Sequence, residues 1–376
     1  MSTKLDSLHW CTNCVSMSTR PRIGFDKRGW CNACVWTETK KSMSWSSRQT
    51  ELETLLDKHR RDDGYFDCLC PVSGGKDGSY VAYNLKHKYG MNPLALTSRP
   101  PLTLDLGDQN LTNYIRSGYD HMHITANENA MRQLNKIGFI ELGFPYYGWL
   151  LTVKTIPLRV ALQFNIPLLF WGEEGDVEYG GSTEFKNKPC FDIRFTLKVY
   201  FDSGYDTVLK KSGLSEKELF WFILPSQEEV DNVNIRMAKF GYYEAWDPYR
   251  NYIVAKENCG LQEREEAGSG TFTNFAQNDQ ALYSLHCYMM YLKFGFGRAT
   301  QDVGIEIRRG AMTREQGVNL VKLFDGHFPE EFIDIYLEYY QMERKEFDMV
   351  IDKYANKELF EKVDGYWKPK FTIDWH

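Results

Sequence analysis

The sequence predicts an α/β protein with a parallel sheet, a small cysteine-rich module before the sheet and helices after it. Between residues 65 and 171, short apolar runs alternate with segments of helical periodicity, which is typical of βαβ units. Residues 1–42 hold four of the nine cysteines and lack helical periodicity, so something other than an apolar core organises them. We therefore predict three regions: a cysteine module (1–45), a sheet domain (46–185) and a region that turns helical toward the C-terminus (186–376).

The individual elements follow from periodicity and from glycine and proline signals. A strand is predicted within residues 65–72, and further strands at 93–97, 121–125 and 167–171. Helices are predicted at 48–61, 79–89, 106–117, 128–140 and 157–165. Beyond residue 185 the pattern loosens into aromatic segments, until Thr313-Arg-Glu-Gln316 fits a capping box and Pro329 opens a helix over 330–340.

Composition limits the function classes. The chain has 376 residues, a net charge of −6 and 43% hydrophobic residues, which is typical of an ordinary globular protein. The acidic balance argues against a nucleic-acid partner. No apolar run reaches the length of a membrane span, because Lys154, Pro157 and Arg159 interrupt the best candidate, and the N-terminus lacks an apolar signal stretch. We expect a cytoplasmic protein with no membrane association.

Four cysteines have the spacing of a metal site. Cys11 and Cys14 form one C-x₂-C pair, and Cys31 and Cys34 form a second pair after sixteen intervening residues. Two such knuckles converge on a tetrahedral Zn²⁺, and a site with four protein ligands is closed and therefore structural. Four reduced thiols without metal, or an iron–sulfur cluster, are the alternatives.

A glycine-rich loop follows the first predicted strand and opens a helix. Its residues are Ser73, Gly74, Gly75, Lys76, Asp77, Gly78 and Ser79. Glycines let several backbone N–H groups and the helix N-terminus point at an anion. A plain glycine-rich turn is the alternative. The loop resembles the SGGxDS signature of the PP-loop ATP pyrophosphatases, whose loop binds the departing pyrophosphate, but Gly78 stands where the last serine of that signature is usual.

The predicted strand at 167–171 ends in an acidic segment. Glu173, Glu174, Asp176 and Glu178 bring four carboxylates within six residues. They would repel one another unless solvent or a cation screens them, and the Mg²⁺ that accompanies ATP favours one or two carboxylates plus phosphate oxygens. A solvated acidic turn is the alternative. Because both this segment and the glycine loop leave strand ends, we expect them at the ligand-binding edge of the sheet.

Several short motifs occur in one order along nearly the whole chain. They are Cys11-x-x-Cys14-Val15, Thr19-Arg-Pro21, Phe25-Asp26, Gly29-Trp-Cys31-Asn-Ala-Cys34, the loop 73–79, Trp171-Gly172-Glu173, Glu178-Tyr-Gly-Gly181, Lys293-Phe-Gly-Phe-Gly-Arg298-Ala-Thr300, Ile307-Arg308-Arg-Gly310 and Thr313-Arg-Glu315. Together they resemble the PseA/WbpG-like N-acetyl sugar amidotransferases of nonulosonic acid and O-antigen synthesis. The resemblance implies a PP-loop (adenine nucleotide alpha hydrolase-like) fold.

The resemblance also implies a reaction and its residues. ATP would adenylate the acetamido oxygen of an N-acetyl or nucleotide-linked sugar, and ammonia would displace AMP to leave an acetamidino group. Asp77, Glu173, Glu174 and Asp176 would hold Mg²⁺, while Lys76, Arg298 and Arg308 would neutralise phosphate charge. The loop and Gly172 would contact ATP, Leu96 and Thr97 would lie along the adenine, and Tyr179, Gly180 and Gly181 would contact the sugar. The two arginines also fit a role as surface ion-pair residues.

Ammonia needs a source. Cys190, Cys259 and Cys287 do not lie in the G-x-C-x-G sequence of a glutaminase nucleophile. The residue after the initiator methionine is Ser2 and not a cysteine, so an N-terminal cysteine nucleophile is also lacking. We therefore expect a separate glutaminase subunit as a partner, and the resemblance implies that the partners are glutaminase and cyclase-like subunits.

Two other functions compete with this one. A PP-loop tRNA thiolase would also carry paired CxxC motifs, but such an enzyme requires a basic face for tRNA and usually has reactive cysteines near the loop. Cys68 and Cys70 precede the loop, and strand alternation aims both at one buried face, so we expect core residues rather than sulfur carriers. A non-catalytic zinc-ribbon scaffold with a degenerate loop is the second alternative, which Gly78 makes conceivable.

Overall fold

A computed structural model of the chain describes residues 5–173, 175–201 and 204–373. It has an α/β architecture with a mostly parallel central sheet, as the sequence predicts. The sheet strands are β1 (Cys68–Pro71), β2 (Pro93–Ser98), β3 (His121–Ile124), β4 (Leu168–Trp171), β5 (Cys190–Phe191) and β6 (Arg236–Lys239). A C-terminal hairpin comprises β7 (Phe360–Val363) and β8 (Tyr366–Pro369).

The strand order shows where along the sheet a ligand-binding crevice is expected. The order is β3-β2-β1-β4-β6-β5, in which β5 alone runs antiparallel to its neighbour. From β1 the chain builds outward to β3, and it then returns to the other side of β1 for β4 and β6. Such a reversal leaves a crevice outside the carboxyl ends of the two strands at which it occurs. Here these strands are β1 and β4, from which the glycine loop and the acidic segment leave.

Helices cover both faces of the sheet and form the C-terminal part. Those of the first half are α1 (Asn32–Lys41), α2 (Trp45–Asp57), α3 (Lys76–Tyr83), α4 (Asp105–Arg116), α5 (Glu128–Leu142), α6 (Tyr147–Gln163), α7 (Ile193–Phe195) and α8 (Gly204–Ser212). Those of the second half are α9 (Gln227–Asn232), α10 (Phe240–Tyr243), α11 (Pro248–Cys259), α12 (Leu282–Phe294), α13 (Arg298–Arg308), α14 (Arg314–Phe324), α15 (Ile333–Tyr340) and α16 (Arg344–Tyr354).

The predicted helix at 157–165 has the wrong start. Helix α6 begins ten residues earlier, at Tyr147, and Pro157 lies inside it. Proline normally starts a helix because it cannot donate an intrahelical hydrogen bond. In α6 the lost bond is offset by burial, since Ile156, Pro157 and Leu158 are all buried.

The core follows the alternation of the strands. Leu69 of β1 packs among apolar residues of α5 and α6, whereas Cys68 and Cys70 pack on the other sheet face with residues of α2 and α3. Both cysteines are fully buried, so the prediction that they are core residues is confirmed. A third apolar cluster joins helices α12, α15 and α16 to α5.

The second half contains both a missed feature and a confirmed one. Strands β5 and β6 extend the sheet beyond residue 185, but two and four residues are too few to show a period. The capping box of α14 is confirmed, because the Thr313 hydroxyl accepts from the Gln316 N–H at 3.2 Å and the Gln316 side chain accepts from the Thr313 N–H at 3.0 Å.

Within the described ranges, no helix has both the length and the apolar character needed to cross a membrane.

Candidate active site

The glycine loop is fixed by close backbone packing. Gly74 has a φ of +79°, and a Cβ there would lie 2.6 Å from the carbonyl carbon of Asn110 in α4. A Cβ on Gly78 would lie 2.7 Å from the carbonyl oxygen of Pro71 in β1. Only glycine fits at either position, because the neighbouring atoms belong to the backbone and have no rotamer to change. The departure from the SGGxDS signature at Gly78 therefore has a steric reason.

One side of a cleft of about 240 Å³ is formed by this loop, through Ser73, Gly75, Lys76, Asp77 and Gly78. Helix α3 begins at Lys76, so its first N–H groups have no intrahelical partners and can bind an anion. Ser79 is fully buried, and its hydroxyl has no hydrogen-bond partner among the described residues. The loop thus offers backbone donors to the cleft, and Ser79 lies behind it.

Two carboxylates come together where β1 and β4 end. Asp77 pairs with Lys76 at 2.5 Å and accepts from the Asn251 side-chain amide at 3.0 Å. Burial and the negative charge of Asp77 raise the pKa of Glu173. Two nearby carboxylates with an unfavourable mutual charge suit a divalent cation, so the donor set of Asp77 and Glu173 fits Mg²⁺.

Of the other two predicted magnesium ligands, only Asp176 is described, and it lies away from the glycine loop. Glu174 lies outside the described residues. The Asp176 carboxylate accepts from the Ser182 N–H at 2.7 Å and pairs with Arg22 at 2.9 Å. Its partners therefore come from its own turn and from the cysteine module, and not from the glycine loop.

The four cysteines of the N-terminal module form a compact cluster. The Sγ atoms of Cys11 and Cys34, of Cys14 and Cys31, and of Cys31 and Cys34 are each 3.7 Å apart. These distances are too long for disulfides, but they match the roughly 3.8 Å edge of a tetrahedron with metal–sulfur bonds of about 2.3 Å. All four side chains are buried, so the cluster can bind a metal such as zinc.

N–H groups and a guanidinium surround the sulfur atoms of this cluster. Cys11 Sγ accepts from the Cys31 N–H at 3.2 Å, and Cys34 Sγ accepts from the Asn13 side-chain amide at 3.2 Å. The Arg308 guanidinium lies 3.8 Å from Cys14 Sγ. Such surrounding donors hold metal-binding thiolates in place and offset their charge.

The cysteine module packs against the segment that follows β4. The Asn32 side-chain amide donates to the Gly181 carbonyl at 2.7 Å, and Lys40 pairs with Glu178 at 2.7 Å. A Cβ on Gly181 would overlap the Asp176 carboxylate, and Gly180 has a φ of +91°. These two glycines, which we predicted as sugar contacts, therefore have structural roles in joining the module to the sheet domain.

Arg298 and Tyr179 lie on the cleft, facing the glycine loop. Arg298 pairs with Asp302 at 2.8 Å and donates to the Tyr283 hydroxyl at 3.1 Å, with its side chain 11% exposed. The structure thus brings Arg298 to the predicted phosphate loop across more than 200 residues of sequence.

A second cleft of about 380 Å³ adjoins the first, and Tyr179 lines both. Its walls include Glu173 and the basic residues Lys40, Lys41, Arg250, Arg308 and Arg309. Arg308 lies on this second cleft and not on the loop, and it donates to the Glu178 carbonyl at 2.9 Å.

Leu96 and Thr97 lie in the interior of the sheet. Strand β2 pairs with β1 on one side and β3 on the other, and the Thr97 hydroxyl donates to the Val72 carbonyl at 2.7 Å. Neither residue lines the two clefts described above. A separate cleft of about 550 Å³ begins at Arg99, beyond the end of β2.

Sequence reasoning missed a buried lysine beside the site. Lys154 of α6 lies with its Nζ 3.9 Å from the Trp171 ring centroid and 3.8 Å from that of Tyr200. Burial lowers the pKa of Lys154 to about 8, against the opposing effect of the Glu173 charge. The available signal was a lysine within a mostly apolar helix, because buried charges are rare without a role.

Comparison with known proteins bears on the C-terminal part. Residues 269–372 match a family model described as LPS biosynthesis protein WbpG-like, C-terminal domain. This supports the resemblance to the PseA/WbpG-like family and points to a role in lipopolysaccharide sugar biosynthesis. The match begins before α12 and includes Arg298 and part of the cleft wall opposite the glycine loop. A search of curated proteins found no match.

Proposed function

We propose that the chain is an ATP-dependent N-acetyl sugar amidotransferase of the PP-loop type, which acts in lipopolysaccharide or nonulosonic acid synthesis. One observation carries the proposal: the loop after β1, with Asp77, and Arg298 from the WbpG-like segment line one cleft. Glu173 lines the adjoining cleft, near enough to Asp77 for the two charges to interact. That combination suits a nucleotide phosphate chain with its metal.

The loop residues bind the pyrophosphate part of ATP through backbone N–H groups, with Lys76 and Arg298 as neighbouring cations. Asp77 and Glu173 hold Mg²⁺, which offsets the charge of the phosphates when it is bound. Arg298 is held by Asp302 and Tyr283, so its position does not depend on ATP. Such preorganised charge favours a transition state in which negative charge accumulates.

The reaction has two steps. The acetamido carbonyl oxygen attacks the α-phosphorus, the bond to the β-phosphate oxygen breaks and pyrophosphate leaves. Ammonia then adds to the activated carbon, and AMP leaves with the former carbonyl oxygen and its electron pair. The product is an acetamidino group, which becomes an amidinium cation when it takes up a proton.

The second cleft accommodates the rest of the sugar. It opens beside Glu173 and shares Tyr179 with the first cleft, so a molecule that spans both can present its acetamido group to the loop. Separate glutaminase and cyclase-like subunits deliver the ammonia to a cytoplasmic enzyme. In their absence a high ammonium concentration replaces them, and glutamine does not.

The test is an incubation of the purified protein with ATP, Mg²⁺, ammonium and a panel of free and nucleotide-linked acetamido sugars. We expect AMP and pyrophosphate in equal amounts with at least one sugar. Asp77→Asn abolishes this release, whereas Asp63→Asn, a matched change at an exposed aspartate, leaves it intact. Release of ADP in place of AMP contradicts the proposal, as does sulfur transfer to tRNA.

A further inference from the structure

The wall opposite the glycine loop contains buried polar atoms without partners. Three of them belong to side chains that line the 240 Å³ cleft: Gln277 Nε2, Asn278 Oδ1 and Arg298 Nε. None has a hydrogen-bond partner among the described residues. Because a buried unpaired polar group costs about 1–3 kcal/mol, such a cluster on a cleft indicates a ligand that completes it.

The chemical character of two of these atoms follows from their surroundings. Asn278 is 6% exposed, and its Nδ2 donates to the Asn274 carbonyl at 3.0 Å, so its Oδ1 is the free acceptor. Gln277 Oε1 faces the Cys287 thiol at 3.9 Å, so its Nε2 is the free donor. The wall therefore presents one donor and one acceptor on adjacent residues.

The backbone at this position is strained. Gln277 has a φ of +61°, in the left-handed region that few residues other than glycine adopt. A strained residue on a cleft indicates that the fold holds its side chain in place for a function. The neighbouring Asn278 side chain bonds to the same short segment, which keeps the two amides in a fixed relation.

We infer that Gln277 and Asn278 form the recognition site for the acetamido group of the acceptor, an inference that rests on the proposed function. A secondary amide has one N–H donor and one carbonyl acceptor, which complement Asn278 Oδ1 and Gln277 Nε2. Phosphates do not complement Asn278, because they offer it no proton. Arg298 Nε, a charged donor beside the loop, remains for the phosphate chain.

The location agrees with the chemistry. The attacking oxygen must come within about 3–3.5 Å of the α-phosphorus, so the site that holds the amide must share a cleft with the phosphate loop. The substrate's amide N–H donates a hydrogen bond to Asn278 Oδ1. This bond shifts electron density from the amide nitrogen toward the carbonyl oxygen, which makes that oxygen the better nucleophile. Gln277 and Asn278 thus act as positioning and specificity residues.

The test uses Gln277→Glu, which replaces the donor with an acceptor at constant shape, and Asn278→Ala, which removes the acceptor. Gln341→Glu is the matched control, because Gln341 also has a positive φ and is exposed. Melting temperatures identify any variant that fails to fold; Gln277→Met then replaces Gln277→Glu, and Asn278→Leu replaces Asn278→Ala. The measurements are KM for ATP and, separately, KM for the sugar that supports AMP release.

We expect each cleft variant to raise KM for the sugar about tenfold or more, with KM for ATP within about twofold of wild type. Unchanged sugar KM overturns the inference, and so does a loss confined to ATP, which would assign these amides to the nucleotide.

A second measurement separates this inference from the proposed function. Binding of N-acetylglucosamine and of glucosamine is compared by ligand-observed NMR with Mg²⁺ and a non-hydrolysable ATP analogue present. If no sugar releases AMP, but wild type prefers the acetylated sugar and Asn278→Ala loses that preference, then the amide site stands and the proposed reaction fails. If wild type binds both sugars equally, the amide site is wrong.

Discussion

Gly78 is the position at which sequence comparison and structure give opposite expectations. The SGGxDS signature suggests that Gly78→Ser would restore a hydroxyl to the phosphate loop. The packing predicts damage, because a Cβ at residue 78 would lie 2.7 Å from the Pro71 carbonyl oxygen and 3.0 Å from the Val72 Cα. Both atoms belong to backbone at the end of the central strand.

The size of the effect follows from two opposing contributions. Overpacking against atoms that cannot rotate away costs about 1–3 kcal/mol, and the rigid strand places Gly78→Ala near the upper figure. Replacing glycine by alanine within a helix returns about 1 kcal/mol. We therefore expect Gly78→Ala to lower the free energy of unfolding by about 2 kcal/mol, and Gly78→Ser to lower it further, since serine has a poorer helix propensity than alanine.

The assay is urea unfolding followed by tryptophan fluorescence, together with AMP release at saturating ATP. Gly75→Ala is the control for stability, because a Cβ there would meet only the Ser73 hydroxyl, at 3.3 Å, which can rotate. It should change the free energy of unfolding by no more than about 0.5 kcal/mol. A Gly78→Ser protein as stable as wild type and more active would refute the steric argument.

Three further predictions concern the metal, the magnesium ligands and acid stability. Purified protein should contain one zinc ion per chain by mass spectrometry, and Cys14→Ser should lose it with a lower melting temperature; a metal-free protein that melts as wild type does contradicts this. Glu173→Gln should raise the Mg²⁺ concentration needed for AMP release at least tenfold, whereas Asp176→Asn should lower the melting temperature without changing that concentration; the reverse pattern would exchange their roles. Burial, and next the positive charges of Lys293 and Arg298, lower the pKa of His286 to about 3, so the folded state does not take up the proton that the unfolded state binds near pH 6.5. Stability is therefore lost as pH falls below 6.5, by about 1–2 kcal/mol at pH 5 in urea titrations. His286→Leu should remove that loss, while His327→Gln at an exposed position should not.

The parallel sheet was predictable because its signals are local. Strands β1, β2 and β4 are largely apolar runs, and β3 alternates histidine with apolar residues. The order of strands and helices specifies the parallel class. The glycine loop needed no tertiary information, since its place between a strand and a helix is evident from the sequence. The four cysteines were predictable for the same reason, through their spacing.

The candidate site was only partly predictable, because charge patterns do not reveal partners. Asp176 looked equivalent to Glu173 in sequence, but Arg22 and the Ser182 N–H take up its carboxylate. Gln277 and Asn278 lie in an aperiodic segment, and only the fold places them opposite the loop. They are identified by buried polar atoms that have no hydrogen-bond partner among the described residues. Such burial arises only when the chain packs, so no sequence pattern predicts it.

The most direct measurement follows the oxygen atom of the acetamido group. An acetamido sugar that carries an isotopic label on its carbonyl oxygen is incubated with the protein, ATP, Mg²⁺ and ammonium, and both products are analysed by mass spectrometry. We predict that the label appears in AMP and that the sugar gains an NH group in place of its oxygen. Unlabelled AMP, or a labelled sugar that keeps its oxygen while ATP is consumed, would contradict adenylation of the acetamido group.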